Sequence, residues 1–197
     1  MPRWWDGAPA PARPELDCLN CNREWKCCAF QPFVPNFLLG AFLANGGDLA
    51  PMRDLLQPLG LIPGQDYRER YLKTPENERG EDFLCRFYDR QTRACKNWSY
   101  RPGECSTFFC KPGSFDVEQH SYAVFNAETA VAQMALAQLG FENHRISLQV
   151  SYLNDPEFAP AQVEFSYLME IYRRSWDWAQ KLPVDQVRQW TGELQWA

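Results

Sequence analysis

Short apolar runs broken by Gly and Pro fill the first half of this chain, and long helical stripes fill the second. The stretch from Phe30 to Phe37 is punctuated by prolines and reads as loop. An apolar run to Ala44 follows, opened by Asn36 and closed by Asn45-Gly46-Gly47, which predicts a short capped helix ended by a left-handed turn. From Asp48 to Leu59, the residues Leu49, Met52, Leu55, Leu56 and Leu59 fall on one helical face, with Pro51 in the tolerated first turn and Pro58 and Gly60 as the stop. Ile62-Pro63-Gly64 predicts a turn, Tyr67 to Lys73 a short polar helix or strand, and Thr74 to Asp82 an exposed loop. Phe83, Cys85 and Phe87 then alternate with Leu84, Arg86 and Tyr88, which predicts a strand joined through a turn at Asp89 to Arg93 to a return segment, Ala94 to Tyr100.

Beyond Cys110 the period becomes helical. A helix from Asp116 to Leu139 is expected, with Val117, Val124 and Val131 at heptad spacing, Phe125, Ala135 and Leu139 widening the stripe, and Gly140 as its end. A second helix is expected from Pro160 to Leu182, with Phe165, Leu168, Tyr172, Trp176 and Ala179 on one face, and a third from Pro183 carrying Val187, Trp190 and Leu194. These aromatic stripes read as core and packing surface. The predicted fold is therefore mainly α with short strands, a metal-stabilised cysteine-rich half packed against a C-terminal helical layer. The expected division is a loose leader over 1–14, a cysteine-cluster metal-binding region over 15–112 and a helical region over 113–197, the last two packed as one domain.

Composition narrows the functional classes. The chain has 197 residues, 45% of them hydrophobic and 15% aromatic, enough for a core without disulfide staples. Its net charge of −5 argues against a nucleic-acid surface. The longest apolar run is far short of the roughly 20 residues that cross a membrane. The first residues lack the continuous apolar core of a secretory signal, which makes the cytoplasm the expected compartment.

The candidate chemistry lies in eight cysteines. Cys18, Cys21, Cys27 and Cys28 fall in the stretch CLNCNREWKCC, and Cys85, Cys95, Cys105 and Cys110 in FLCRFYDRQTRACKNWSYRPGECSTFFC. In a reducing compartment clustered thiols point to metal or redox chemistry. A Cys-x-x-Cys step places two sulfurs on one ion, whereas the adjacent side chains of Cys27 and Cys28 diverge and more readily serve two different metal atoms. His120 and His144 lie outside both groups, so an all-sulfur site is the expectation. Soft thiolates suit zinc and iron–sulfur clusters alike, and the vicinal pair slightly favours a cluster. Basic residues around the second group (Arg86, Arg90, Arg93, Lys96, Arg101 and Lys111, against Asp89 and Glu104) can offset thiolate charge, although a solvated basic face explains most of them. Trp25, Trp98, Phe108 and Phe109 flank the cysteines and can shield a centre from water or fill a small core.

The order of these motifs, a cysteine quartet, then Cys85 after Phe-Leu, Cys95 before an aromatic, and Arg101-Pro102-x-x-Cys105, resembles the YkgJ-like cysteine-cluster family over roughly residues 15 to 112. The resemblance implies a zinc- or iron-chelating domain with a CxxCxxCC signature. This chain departs from that pattern in the five residues between Cys21 and Cys27 and in Cys110, which lies past its usual end. The expectation is thus a protein that coordinates zinc or iron, including a 4Fe–4S cluster, through all eight cysteines. Protein partners are compatible with this reading. Two alternatives stand beside it: an iron–sulfur-dependent redox or modifying enzyme, and an exported, disulfide-stapled protein. No acid/base pair, Ser/His/Asp set or phosphate loop stands out in support of an enzyme.

Overall fold

A computed structural model describes residues 28–75, 78–106, 115–139, 164–183 and 185–186. The near-continuous apolar run after Pro35 has no polar face to turn outward, and it forms a helix buried almost all round. This is α1, Asn36–Ala44, in which every residue from Asn36 to Phe42 is buried. Its main packing partner is α5, Phe165–Ala179, whose apolar residues do fall on one stripe: Leu168, Ile171, Tyr172 and Ala179 are buried along it. The two backbones meet at Gly40, where a Cβ would stand 1.9 Å from the Tyr172 carbonyl oxygen and 2.7 Å from Trp176 Cβ. Only the absence of a side chain permits that approach.

Three two-residue strands form an antiparallel sheet in the order β1 (Val34–Pro35), β3 (Gly60–Leu61), β2 (Leu56–Gln57). The register places Val34 and Leu56 opposite Leu61, and Pro35 and Gln57 opposite Gly60. The turn between β2 and β3 is held by its carbonyls. The Tyr172 hydroxyl donates to Gln57 O at 2.6 Å, Asn36 Nδ2 donates to Pro58 O at 3.3 Å, and the Asn36 amide donates to Leu59 O at 2.7 Å.

Several sequence expectations are corrected here. Asn36 is the first residue of α1, with Pro35 in the capping position, because its side chain turns back to satisfy the β2–β3 turn. The stretch before it is not all loop, since Val34 and Pro35 pair with β3. The helix expected over Asp48 to Leu59 is a 3-10 helix over Ala50–Leu55, irregular at Met52, followed by strand β2. Leu49, Met52, Leu55, Leu56 and Leu59 are nevertheless all buried. The face was readable, but Leu56 and Gln57 give their backbone to the pairing with β3 instead of continuing a helix. α1 does end as expected, with Gly46 at φ +81°.

Tyr67 to Lys73 is helical, within α2, Gln65–Lys73. The strand expected from Phe83 is instead a 3-10 turn, Glu81–Phe83, leading to a hairpin of β4 (Tyr88–Asp89) and β5 (Ala94–Cys95). The intervening turn lies where the sequence put it. Asp89 Oδ1 accepts the Gln91 and Thr92 amides at 2.9 and 3.4 Å, and the first of these contacts leads in holding the Asp89 carboxyl below its usual range. The return segment is a strand only over β5 and becomes a 3-10 turn at Trp98–Tyr100. The short α3, Gly103–Ser106, then precedes α4, Phe115–Gln138, whose buried stripe includes Val124, Val131 and Ala135. The helix expected from Pro160 begins, within the described residues, at Phe165; Val187, Trp190 and Leu194 lie outside those residues. The architecture is mainly α with few short strands, as the hydrophobic pattern implies.

Candidate functional site

Cys28 and Cys85, far apart in sequence, meet along the backbone. Cys28 offers its carbonyl to the Cys85 amide at 2.8 Å. Three residues on, the buried Gln31 side chain accepts the Arg86 amide through Oε1 at 2.9 Å and donates through Nε2 to Pro32 O at 3.1 Å. The strap from Cys28 to Gln31 is thus laced to the segment carrying Cys85. α2 supports the same junction, since the Tyr67 hydroxyl makes a short hydrogen bond to Phe83 O. Burial first, and then the nearby Cys85 sulfur, push the Tyr67 hydroxyl up to about 12.

Cys85 is buried and opens a tight turn, its carbonyl accepting the Tyr88 amide at 2.8 Å. The hairpin then carries the chain back so that Cys95 stands opposite Tyr88 in register. Phe87 fixes this unit to the core, lying edge-on to Phe42 of α1 with ring centroids 5.1 Å apart. Phe83, Cys85 and Phe87 are all buried while Arg86 is exposed, but Tyr88, from the opposite set of the alternation, is buried as well.

Cys105 belongs to a third anchor. Its amide and that of Ser106 both donate to Pro102 O at 3.0 Å, closing the first turn of α3. The Gly103 amide donates at 2.7 Å to Oε1 of Glu128, a fully buried carboxylate on α4. Gly103 also lies against Val124, where a Cβ would fall 2.3 Å from Val124 Cγ1. The Arg-Pro-x-x-Cys motif is therefore bolted to α4 by backbone approach and one buried hydrogen bond. Arg101 stacks over the Trp98 ring at 3.8 Å. Arg86 and Arg90 form exposed ion pairs with Asp54 and Glu81 at 3.2 and 2.6 Å, in keeping with a solvated basic face.

Of the eight expected ligands, the described residues include Cys28, Cys85, Cys95 and Cys105, and no disulfide joins these four to one another. Cys18, Cys21, Cys27 and Cys110 lie outside the described residues, as do Trp25, Phe108, Phe109 and His144. Among the described residues no three Cys, His, Asp or Glu side chains gather into a metal-binding group. The donor type would suit a soft metal: cysteines whose main-chain groups are hydrogen-bonded, with basic residues close in sequence.

Beside the Cys28–Cys85 junction lies a cavity of ≈ 360 Å³. Phe30 and Gln31 of the strap, Tyr67, Arg68 and Tyr71 of α2, and Glu104 next to Cys105 all contribute to it. Burial raises the Glu104 carboxyl, opposed by the Phe33 amide, which donates to its Oε2 at 3.2 Å, and by Arg68. Burial lowers the Arg68 guanidinium, and Glu104 opposes that shift.

Gln31, Arg68, Glu104 and Glu128 were not singled out from sequence. Glu128 had a readable signal, a charged residue four positions after Val124 and three before Val131 on an apolar stripe. The other three had none, because their roles come from contacts made between distant segments. No helix among the described residues is long and apolar enough to cross a membrane. No protein-family model, curated protein or solved structure matches this chain.

Proposed function

We propose that this chain is a metal-binding protein that coordinates zinc or iron, the latter as an iron–sulfur cluster, through Cys18, Cys21, Cys27, Cys28, Cys85, Cys95, Cys105 and Cys110. The observation that carries the reading is the 2.8 Å backbone bond from the Cys85 amide to the Cys28 carbonyl, which joins the C-terminal end of the first cysteine group to the start of the second. Two thiol-rich segments tied at that point make a soft-donor set of the kind expected from the YkgJ-like motif order. In this reading the metal acts as a fold-forming crosslink, because ligands that converge only in the folded chain couple metal binding to folding. An all-thiol centre needs no histidine. The bound metal would then serve through a protein partner or through metal handling.

A second reading, an iron–sulfur-dependent enzyme of the cytoplasm, draws on the cavity beside the same junction, which gives a substrate somewhere to sit. Elemental analysis and an ultraviolet–visible spectrum of protein purified without oxygen or added metal test both. About four irons per chain with a broad band near ~400 nm would identify a cluster and favour the enzyme. One or two zincs in colourless protein would favour the structural centre. Metal-free protein lacking reactive thiols would refute both and revive a disulfide-stapled, exported protein.

A further inference from the structure

The ≈ 360 Å³ cavity lies within the size range, about 300–1,000 Å³, of small-molecule sites. Its walls are mostly apolar and aromatic. The Phe30 and Tyr71 rings stand with centroids 6.0 Å apart, and Phe33 lies edge-on to Phe125 at 5.8 Å, so rings frame the space. Ile62, partly buried against the core, adds an aliphatic wall, and Leu72 carries the lining to the solvent edge, where it is 78% exposed.

The polar side chains of this lining are taken up by the protein itself. Both ends of Gln31 are engaged, and the Tyr67 hydroxyl donates its proton to Phe83 O. Glu104 accepts the Phe33 amide through Oε2. Arg68 is engaged within the chain and acts on the Glu104 charge, as Glu104 acts on it. The two charged residues of the lining are thus opposite in sign and offset each other. A ligand of net charge would be attracted by one and repelled by the other, and would give up its hydration without an unopposed partner. A neutral ring loses little hydration and gains contact with the apolar walls. An apolar cavity of about 150 Å³ already takes one benzene ring, so the larger space here admits two fused rings.

We propose that this cavity binds an uncharged aromatic small molecule of one or two rings, held by the Phe30, Tyr71, Phe33 and Phe125 rings and by Ile62, with no ionic contact to the protein. The inference does not rest on metal binding, since every residue it uses is placed by the fold described above. Metal content is measured separately, so either can fail while the other stands.

Calorimetric titration of the full chain with the neutral probe indole, its anionic relative indoleacetate and its cationic relative tryptamine tests it. Saturable binding of indole is expected, with indoleacetate and tryptamine each at least tenfold weaker. Ile62→Trp fills part of the space and should weaken indole at least tenfold. Leu72→Trp, at an exposed position that folding tolerates, narrows the mouth and should weaken it as well. Arg68→Met should leave indole within threefold, because a neutral ligand draws on no charge of the lining. Far-ultraviolet circular dichroism checks that each variant keeps its helices, and Leu72→Trp decides where Ile62→Trp does not fold. Absence of saturable indole binding would overturn the proposal. So would equal or tighter binding of either charged relative, indole binding indifferent to both tryptophan substitutions, or a tenfold loss of indole binding in folded Arg68→Met.

Discussion

Gly40→Ala tests the central packing of this fold, because two effects of one methyl group oppose each other there. In an ordinary helix interior, replacing Gly by Ala stabilises by roughly 1 kcal/mol through backbone entropy and helix propensity. At Gly40 the new Cβ would lie 1.9 Å from the Tyr172 carbonyl oxygen, 2.7 Å from its carbonyl carbon and 2.7 Å from Trp176 Cβ. Two of those atoms are backbone, so no rotamer change relieves the contact. α1 and α5 would have to separate by more than an ångström, taking the methyl out to ordinary contact at about 3.5 Å. Separation cannot be local. Tyr172 is also tied to Gln57 O at 2.6 Å, and Leu168, Ile171 and Ala179 are buried on the same face of α5.

Overpacking of a well-filled core costs about 1–3 kcal/mol, occasionally more, and a rigid backbone obstacle belongs at the upper end. After the propensity gain, a net loss of about 2 kcal/mol is expected. For a chain of this size that is a fall in Tm of roughly 4–8 °C. Thermal unfolding followed by far-ultraviolet circular dichroism, with a denaturant titration as a second measure, reads it directly. A Gly40→Ala protein as stable as the parent, or more so, would show that α1 and α5 do not make this close approach and would refute the packing argument.

Other substitutions probe the remaining links. Glu128→Ala leaves the buried Gly103 amide without its acceptor and should cost about 1–3 kcal/mol in a melt, whereas Glu128→Gln, which keeps an acceptor, should cost less. Tyr172→Phe removes the 2.6 Å bond to Gln57 O and should cost about 1 kcal/mol at neutral pH. Burial raises the Tyr172 hydroxyl above its ordinary 10.0, so its contribution is fully present below the unfolded value and is lost as pH climbs past about 10. Stability measured against pH should therefore fall more steeply above pH 10 in the parent than in Tyr172→Phe; parallel curves would contradict this. Cys105→Ser should lower both bound metal, measured by elemental analysis, and Tm, and unchanged values of both would count against the proposed centre.

The sequence by itself determined the mainly helical class, the inward faces and most punctuation. Leu49, Met52, Leu55, Leu56 and Leu59 were placed on one helical face, and all five are buried, although the backbone beneath them is largely 3-10 helix and strand. Phe83, Cys85 and Phe87 were read as one face and are buried together, although only the end of that stretch is a strand. Burial follows from side-chain chemistry, which sequence states outright. Backbone form at such short elements depends on which neighbour takes each amide and carbonyl, and that is a tertiary matter. Asn36 shows the difference, since its type suits a helix cap but its side chain serves the turn after Pro58.

The site divides in the same way. The clustering of thiols and the Arg101-Pro102-x-x-Cys105 motif were visible in the sequence. The junction of Cys28 with Cys85, the Glu128 anchor under Gly103 and the meeting of Arg68 and Glu104 in the lining of one cavity came only from the tertiary structure. Each joins residues more than twenty positions apart. Local pattern carries no term for such contacts, because their energy is realised only when the core formed by α1, α4, α5 and the small sheet has fixed the distance between segments.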